Sequence, residues 1–171
     1  MKVTIPYTPR KQQAFIHKEL DKHRFSVLCC HRRFGKTVML INHLIKCCMM
    51  NKNHQPRFAY IAPTYSQAKK IAWDYLKFYT KGLPNTKYNE TELRCDFFNG
   101  SRITLLSSEN PDSIRGIYLD GVVCDEASQI SRELIDEVIR PAIADRKGWM
   151  SLCSTPKGMN NIFYDMYLKA Q

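Results

Sequence analysis

Residues 30–37 carry the side chains of a phosphate-binding loop. Their sequence, Cys-His-Arg-Arg-Phe-Gly-Lys-Thr, matches the pattern G-x-x-x-x-G-K-[ST] at every defined position except the first, where Cys30 replaces glycine. In such loops backbone N–H groups cradle phosphate oxygens, the lysine reaches the β- and γ-phosphates, and the hydroxyl binds Mg²⁺. Lys36 and Thr37 would take these two roles. Because a Cβ disfavours positive φ, we expect the loop to bend differently at Cys30 than at a glycine.

The flanking segments can position this loop. Residues 25–30 are a short apolar stretch typical of a buried strand, and residues 38–50 are too apolar for a surface helix. Strand, loop and helix in that order are the context that the pattern requires. We therefore predict binding of ATP and Mg²⁺, with the ATP-binding side of the loop formed by Arg32, Arg33, Phe34, Gly35, Lys36 and Thr37.

A second polar cluster follows the apolar residues 121–124, which end in Asp125 and Glu126. An apolar strand followed by Asp-Glu is the Walker B pattern. At a strand end Asp125 would hold the metal together with Thr37, and Glu126 would orient and deprotonate the attacking water. The alternative is an acidic pair that simply opens the next helix, because acidic residues favour helix N-termini. The upstream Gly-Lys-Thr favours the catalytic interpretation.

Strand and helix patterns alternate along the chain and predict an α/β fold with a mostly parallel, open sheet flanked by helices. Predicted strands are residues 25–30, 57–62, 93–98, 102–106, 121–124 and 149–153. Predicted helices are residues 9–22 with Thr8 as N-cap, 38–50, one from Thr64 or Ser66 to Tyr79, one from Ser131 that Pro141 interrupts or kinks, and one from Asn160 or Asn161.

The two strands around Asn99-Gly100 predict a β-hairpin, added antiparallel beside the parallel sheet. Ser154 and Thr155 follow the last predicted strand. Because ligands of open parallel sheets sit at the carboxyl ends of the strands, we expect the pairs 36–37, 125–126 and 154–155 to converge at one edge.

A glutamine upstream of a phosphate loop can bind adenine, since its amide offers a donor and an acceptor. Gln12 is the candidate and Gln13 the alternative, with Tyr7 packing on the base. A solvated glutamine on the helix surface remains an equal alternative.

Composition excludes several classes of protein. The chain has 171 residues, enough for one domain, with 44% hydrophobic residues and a formal net charge of +10, which favours a polyanionic partner such as nucleic acid. The seven cysteines show no zinc-binding spacing and suit a reducing cytosol. Residues 1–3 do not begin a signal peptide, and no apolar run has the length that spans a membrane.

Taken together, the motifs resemble the ATPase half of the large terminase subunit, the DNA-packaging motor of tailed bacteriophages. The matching segments, in the family's order, are residues 9–12, 31–37, 62–64, 114–116, 122–127 and 154–158. The resemblance implies an additional-strand P-loop ATPase in which Mg-dependent ATP hydrolysis powers translocation of double-stranded viral DNA into a procapsid. Loops of this family often lack the first glycine.

The resemblance also implies roles for single residues. Arg32, four positions before Lys36, corresponds to a typical arginine of these motors. Arg115 would be an arginine finger acting on a neighbouring subunit, with a solvated loop arginine or a DNA-backbone contact as alternatives. Ser154 and Thr155 would form the coupling motif that senses the γ-phosphate.

The partners implied are double-stranded DNA bound without sequence preference, the portal protein, the small terminase subunit and further copies in a ring, a pentamer, with no membrane. The location implied is the cytoplasm of the infected bacterial host and, transiently, the portal vertex of the procapsid.

Family members continue into an RNase H-like nuclease domain. We therefore expect residues 1–171 to be a single P-loop ATPase domain, the N-terminal part of a longer terminase or one piece of a split subunit, without nuclease activity.

Two other interpretations of the motifs remain. One is a helicase-like or restriction-translocase ATPase domain, although Ala127-Ser128 after Asp-Glu departs from its Ala/Cys-His or Ala-Asp. The other is a non-hydrolysing nucleotide- or DNA-binding module, against which the intact Lys36, Thr37, Asp125 and Glu126 argue.

Overall fold

A seven-stranded sheet forms the centre of the computed structural model, which describes residues 4–171; residues 1–3, from which we expect no signal peptide, lie outside the described residues. The strands are β1 (Phe25–Cys29), β2 (Arg57–Ala62), β3 (Lys87–Asn89), β4 (Arg94–Asp96), β5 (Arg102–Ser107), β6 (Gly121–Asp125) and β7 (Trp149–Ser154). Their spatial order is β1-β7-β6-β2-β5-β4-β3.

The first five strands of that order run parallel, and β4 and β3 are antiparallel additions. Strand β7 lies between β1, which leads into the phosphate loop, and β6, which ends at Asp125. This extra strand is the arrangement that the resemblance implied, and the predicted fold class is confirmed.

Helices cover both faces of the sheet. The α-helices are α1 (Lys11–Leu20), α2 (Lys36–Met50), α3 (Tyr65–Gln67), α4 (Trp73–Thr80), α5 (Arg140–Ala144) and α6 (Ile162–Lys169). Two π-helical segments, Ala68–Ala72 and Leu134–Ile139, join α3 to α4 and lead into α5. Short 3₁₀ turns span Pro111–Ser113 and Ala127–Gln129.

The period-2 pattern of the strands divides the core into two layers. In β2, Phe58 and Tyr60 point towards the layer under α2 and α4, whereas Ala59 and Ile61 point towards the layer under α5 and α6. Both faces of the central strands are therefore buried, as expected of a parallel sheet covered by helices on both sides. The carboxyl ends of the strands remain at an uncovered edge.

Helix α1 departs from its predicted start. It begins at Lys11 with Arg10 as N-cap, two residues after the predicted Pro9, and ends at Leu20. The Gln13 side chain accepts a hydrogen bond from the Arg10 N–H at 3.0 Å, which satisfies one of the backbone donors at the start of the helix.

The hairpin and the kinked helix also differ in detail. Strand β5 pairs in parallel with β2, so only one arm of the predicted hairpin is an antiparallel addition, and β3 extends it further. At Pro141, which was predicted to interrupt or kink its helix, the π-helical segment Leu134–Ile139 passes into α5, which continues to Ala144. Within residues 4–171, none of the helices combines the length and apolarity needed to cross a membrane.

Candidate active site

The phosphate loop connects β1 to α2 and has two left-handed residues. Cys30 extends the β1–β7 pairing, since its N–H donates to the Ser154 carbonyl at 3.0 Å. The left-handed turns fall at Arg33, with φ 63°, and Gly35, with φ 83°, so the loop bends after Cys30, as its Cβ requires. The first N–H groups of α2 have no intrahelical acceptor, and this end of a helix favours an anion.

The Gln13 side chain, on α1, is hydrogen-bonded to the phosphate loop. Its Nε2 donates to the carbonyls of Phe34, at 3.1 Å, and Gly35, at 3.4 Å, and the side chain is buried. A Cβ at Gly35 would lie 2.9 Å from this nitrogen. Glycine is therefore required here both by the positive φ and by the close approach of Gln13.

The Asp125 carboxylate accepts three hydrogen bonds. Its Oδ2 accepts from Thr37 Oγ1 at 2.8 Å and from the Tyr60 hydroxyl at 2.6 Å, and its Oδ1 accepts from the Glu126 N–H at 3.0 Å. Burial raises the pKa of the carboxyl, and the hydrogen bonds from Tyr60 and Thr37 oppose that rise. The contact with Thr37 joins the phosphate loop to the end of β6.

Glu126 faces both the phosphate loop and the end of β7. Its Oε1 lies 3.4 Å from the Lys36 Nζ, and its Oε2 lies 3.5 Å from the hydroxyl oxygens of Ser154 and Thr155. The backbone of Glu126 is left-handed, with φ 50° and ψ 43°, which costs a non-glycine residue about 1–2 kcal/mol. Such a conformation directly after a strand turns the carboxylate across the edge of the sheet.

Of these residues, Thr37, Asp125, Glu126 and Thr155 line a cleft of about 660 Å³. Its walls come from the phosphate loop, the ends of β2, β6 and β7, and the helix after β2; they include Arg32, Thr37, Gln67, Ile71, Glu126 and Lys157. The three polar pairs 36–37, 125–126 and 154–155 thus converge at one edge, as expected of a parallel sheet.

A family model described as terminase large subunit, T4-like-virus type, N-terminal, matches residues 31–170. The chain belongs to the terminase large-subunit family. Large terminase subunits of Thermus phage G20c and Escherichia phage T5 are each 29% identical to it, over 181 and 167 residues. Those matches cover 95% and 94% of this chain but only 36% and 37% of the relatives, so the chain spans about a third of their length.

Solved large terminases have the same fold. The large terminase ATPase domain of Thermus phage P74-26 superposes with a TM-score of 0.79 at 27% identity, covering 96% of this chain and 71% of that domain. The large terminase of a thermophilic bacteriophage in complex with ATP-gamma-S gives a TM-score of 0.74 at 16% identity, covering 93% and 41%, and supports the fold alone. The terminase resemblance is therefore confirmed over the helicase-like alternative.

The remaining predicted residues of this terminase chain lie in different surroundings. Arg32 lines the cleft, and Phe34 is buried. Gln12 is exposed on α1, whereas Gln13 is engaged by the loop. Arg115 lies outside the cleft, 3.4 Å from the Asp112 carboxylate, in a separate hollow that also includes Glu137 and Asp145.

Sequence reasoning missed two polar residues of the site. Tyr60 was assigned only to the predicted strand 57–62, and Ser128 was considered only as the second residue after Asp125-Glu126. The Ser128 hydroxyl lies 2.8 Å from that of Ser154, and the Tyr60 hydroxyl contacts Asp125. Tyr60 was detectable only as a hydroxyl in an otherwise apolar strand that ends beside the catalytic edge.

Proposed function

We propose that this chain is the ATP-hydrolysing domain of a DNA-packaging terminase, in which Mg-dependent hydrolysis powers translocation of double-stranded viral DNA into a procapsid. The observation that carries the proposal is the pairing of Lys36 with Glu126 at 3.4 Å, beside the Thr37–Asp125 contact, in one open cleft. The Lys36 ammonium, the Thr37–Asp125 pair and the Glu126 carboxylate therefore lie within reach of one ligand.

The donor set fits Mg²⁺. Thr37 and Asp125 offer hard oxygen ligands at the cleft wall, and Mg²⁺ in nucleotide sites is held by one or two protein oxygens together with phosphate oxygens. Among residues 4–171, no three His, Cys, Asp or Glu side chains form a metal cluster. When bound, Mg²⁺ neutralises charge on the β- and γ-phosphates.

Before nucleotide binds, the Lys36 ammonium is paired with the Glu126 carboxylate. The γ-phosphate competes for the Lys36 ammonium through charge-assisted hydrogen bonds, which releases the Glu126 carboxylate. Glu126 then takes a proton from a water molecule as the water oxygen forms a bond to the γ-phosphorus. The bond from that phosphorus to the bridging oxygen breaks, and ADP and phosphate leave. Ser154 and Thr155, both 3.5 Å from Glu126, are placed to couple this change to β7.

Adenine recognition involves Gln12 or Gln13. Gln12 is exposed and free of the loop contact that occupies Gln13, which supports Gln12, while Gln13 fixes the loop. Arg32, Arg33, Phe34 and Gly35 complete the ATP-binding loop, with Arg32 acting on the phosphates of its own subunit because it lines the same cleft.

Arg115 acts on the ATP of a neighbouring subunit. Its side chain is exposed and lies outside its own cleft, which supports a role in trans, and a guanidinium suits the charge that develops on the phosphates. Arginine fingers contribute about 10³–10⁵-fold to turnover.

Mixing two inactive variants tests the role of Arg115. Arg115→Ala subunits retain a complete site and Glu126→Gln subunits retain the finger, so mixed assemblies should regain part of the activity that each lacks. An Arg115→Ala assembly with normal turnover, or no recovery on mixing, excludes the role in trans.

The partners proposed are double-stranded DNA, the portal protein, the small terminase subunit and copies of this chain in a pentameric ring. The location is the host cytoplasm and transiently the portal vertex. Residues 1–171 would form one P-loop ATPase domain. The net charge of +10 supports electrostatic DNA binding, so affinity should fall linearly with salt on logarithmic axes for any duplex sequence. A salt-independent affinity contradicts this.

The central test measures the affinity of the protein for ATP. Replacing Lys36 by alanine removes a charge-assisted phosphate contact, so we expect a loss of about 1.5–3 kcal/mol in the free energy of ATP binding. Lys52→Ala, at an exposed position, is the matched control. Equal ATP affinities of Lys36→Ala and wild type would overturn the proposed function.

A further inference from the structure

Tyr60 is a buried tyrosine that the hydrolysis mechanism does not use. It lies in the middle of β2 with only 3% of its surface exposed, among apolar neighbours of the core layer under α2 and α4. A buried phenol hydroxyl needs a partner, and this one donates to Asp125 Oδ2 at 2.6 Å.

Strand register explains how the two residues meet. β2 and β6 are parallel neighbours, and Tyr60 pairs with Val123. Because side chains alternate along a strand, Val123 and Asp125 point to the same face as Tyr60. The long phenol side chain therefore reaches two residues along β6 to the carboxylate at its end. A shorter side chain at position 60 would not span this distance.

The carboxylate of Asp125 is thereby held from two sides. Thr37 approaches Oδ2 from the phosphate loop at 2.8 Å, and Tyr60 approaches the same oxygen from the core. The Thr37 hydroxyl oxygen keeps lone pairs for a metal while its proton faces Asp125. Tyr60 lies in β2, so its contact with Asp125 comes from the sheet and not from the phosphate loop.

We propose that Tyr60 is a positioning residue for the divalent metal: its hydroxyl holds the Asp125 carboxylate at the cleft wall, where that carboxylate binds the Mg²⁺ of the Mg·nucleotide complex. This inference rests on the proposed function. Groups that orient a metal-binding side chain affect metal affinity about 10–100-fold when they are removed. Nucleotide binding without metal uses Lys36 and the loop amides, which Tyr60 does not contact.

The test separates metal affinity from nucleotide affinity. Tyr60→Phe keeps the ring that packs in the core and removes the hydroxyl. Tyr88→Phe is the matched control, because the Tyr88 hydroxyl also has a hydrogen-bond partner, Thr80 at 2.8 Å, on strand β3 at the far end of the sheet from β1. Binding of a fluorescent non-hydrolysable ATP analogue is measured first in EDTA and then with increasing Mg²⁺, after melting curves confirm that all proteins are folded.

We expect the Mg²⁺ concentration for half-maximal enhancement of binding to rise about 10–100-fold in Tyr60→Phe and to stay unchanged in Tyr88→Phe. Affinity in EDTA should stay within about twofold of wild type, and turnover at saturating Mg²⁺ should largely recover. An unchanged Mg²⁺ requirement overturns the inference, and so does an equal loss of affinity in EDTA, which would indicate a general structural role. Failure of the wild type to bind nucleotide at all would instead overturn the proposed function.

Discussion

The carboxyl ends and the amino ends of the parallel strands form two sides of the sheet, the carboxyl edge and the amino edge. They differ in how tightly their polar side chains are paired. At the carboxyl edge, Glu126 has a left-handed backbone, and its carboxylate is shared between Lys36 and two hydroxyls at 3.5 Å. At the amino edge, Asp120 directly precedes the same strand, and both of its carboxylate oxygens are engaged at short distances. They accept from Asn53 Nδ2 at 2.5 Å and from the Arg57 N–H at 2.8 Å.

The amino edge is also more tightly packed. The Trp149 ring covers Gly121, where a Cβ would lie 2.3 Å from the ring. A Cβ at Gly148 would lie 2.4 Å from the Leu119 carbonyl oxygen. The carboxyl edge instead opens into the cleft of about 660 Å³. Satisfied polar groups and close packing stabilise one edge, whereas loosely paired groups leave the other edge free to exchange partners with a ligand.

The largest effect that this comparison predicts is on turnover. Glu126→Gln preserves shape and polarity at the carboxyl edge but removes the base, so ATP turnover should fall about 10²–10⁴-fold. ATP affinity should remain, and the free energy of unfolding in urea should change by less than about 1 kcal/mol, because the carboxylate is loosely paired. Near-normal turnover would show that another residue activates the water.

A substitution at the amino edge should lower the stability of the folded protein. Asp120→Ala removes the acceptor of the half-buried Arg57 N–H and of the exposed Asn53 amide, and it removes the partner of Arg146, whose Nη1 lies 3.6 Å from Oδ2. Each donor that loses this charged acceptor costs about 1–3 kcal/mol, measured as a lower urea midpoint. Asp145→Ala, at an exposed position on the same side, is the control. If Asp120→Ala retained wild-type stability, the contrast between the two edges would be wrong.

A smaller, pH-dependent effect is expected at His43, which packs edge-to-face on Trp149 at the amino edge. Burial is the main cause that lowers the His43 pKa to about 4, and His17 and Lys46 add to it while Asp21 opposes it. Between pH 6.5 and about 4 the unfolded state therefore binds more protons than the folded state, so stability falls as the pH falls through this window.

The pKa difference corresponds to about 3 kcal/mol. Urea unfolding of wild type at pH 7 and pH 4 should show this loss, and His43→Asn should show much less of it. His54→Gln, at an exposed position, should behave like wild type. An equal acid sensitivity of His43→Asn and wild type would assign the effect to other groups.

Much of the fold followed from local patterns. Strand β2 occupies the predicted residues 57–62, because a short apolar run between turn residues has few other stable conformations in a covered sheet. The Thr64 hydroxyl caps the helix after it and accepts from the Gln67 N–H at 3.2 Å, one of the two predicted caps. Errors arose where a side chain several residues away decided a boundary, as Gln13 does for the start of α1.

The sequence by itself determined which chemistry is present: a phosphate loop ending in Lys36-Thr37, an acidic pair at 125–126 and hydroxyls at 154–155, each directly after an apolar strand. Only the tertiary structure decided their partners. Tyr60 meets Asp125, 65 residues away, because β2 and β6 are neighbours in register, and Asp120 and Asp125, five residues apart, differ because opposite ends of β6 face different surroundings. Local patterns specify strands and loops through short-range preferences, whereas hydrogen-bond partners depend on strand order, which long-range packing sets.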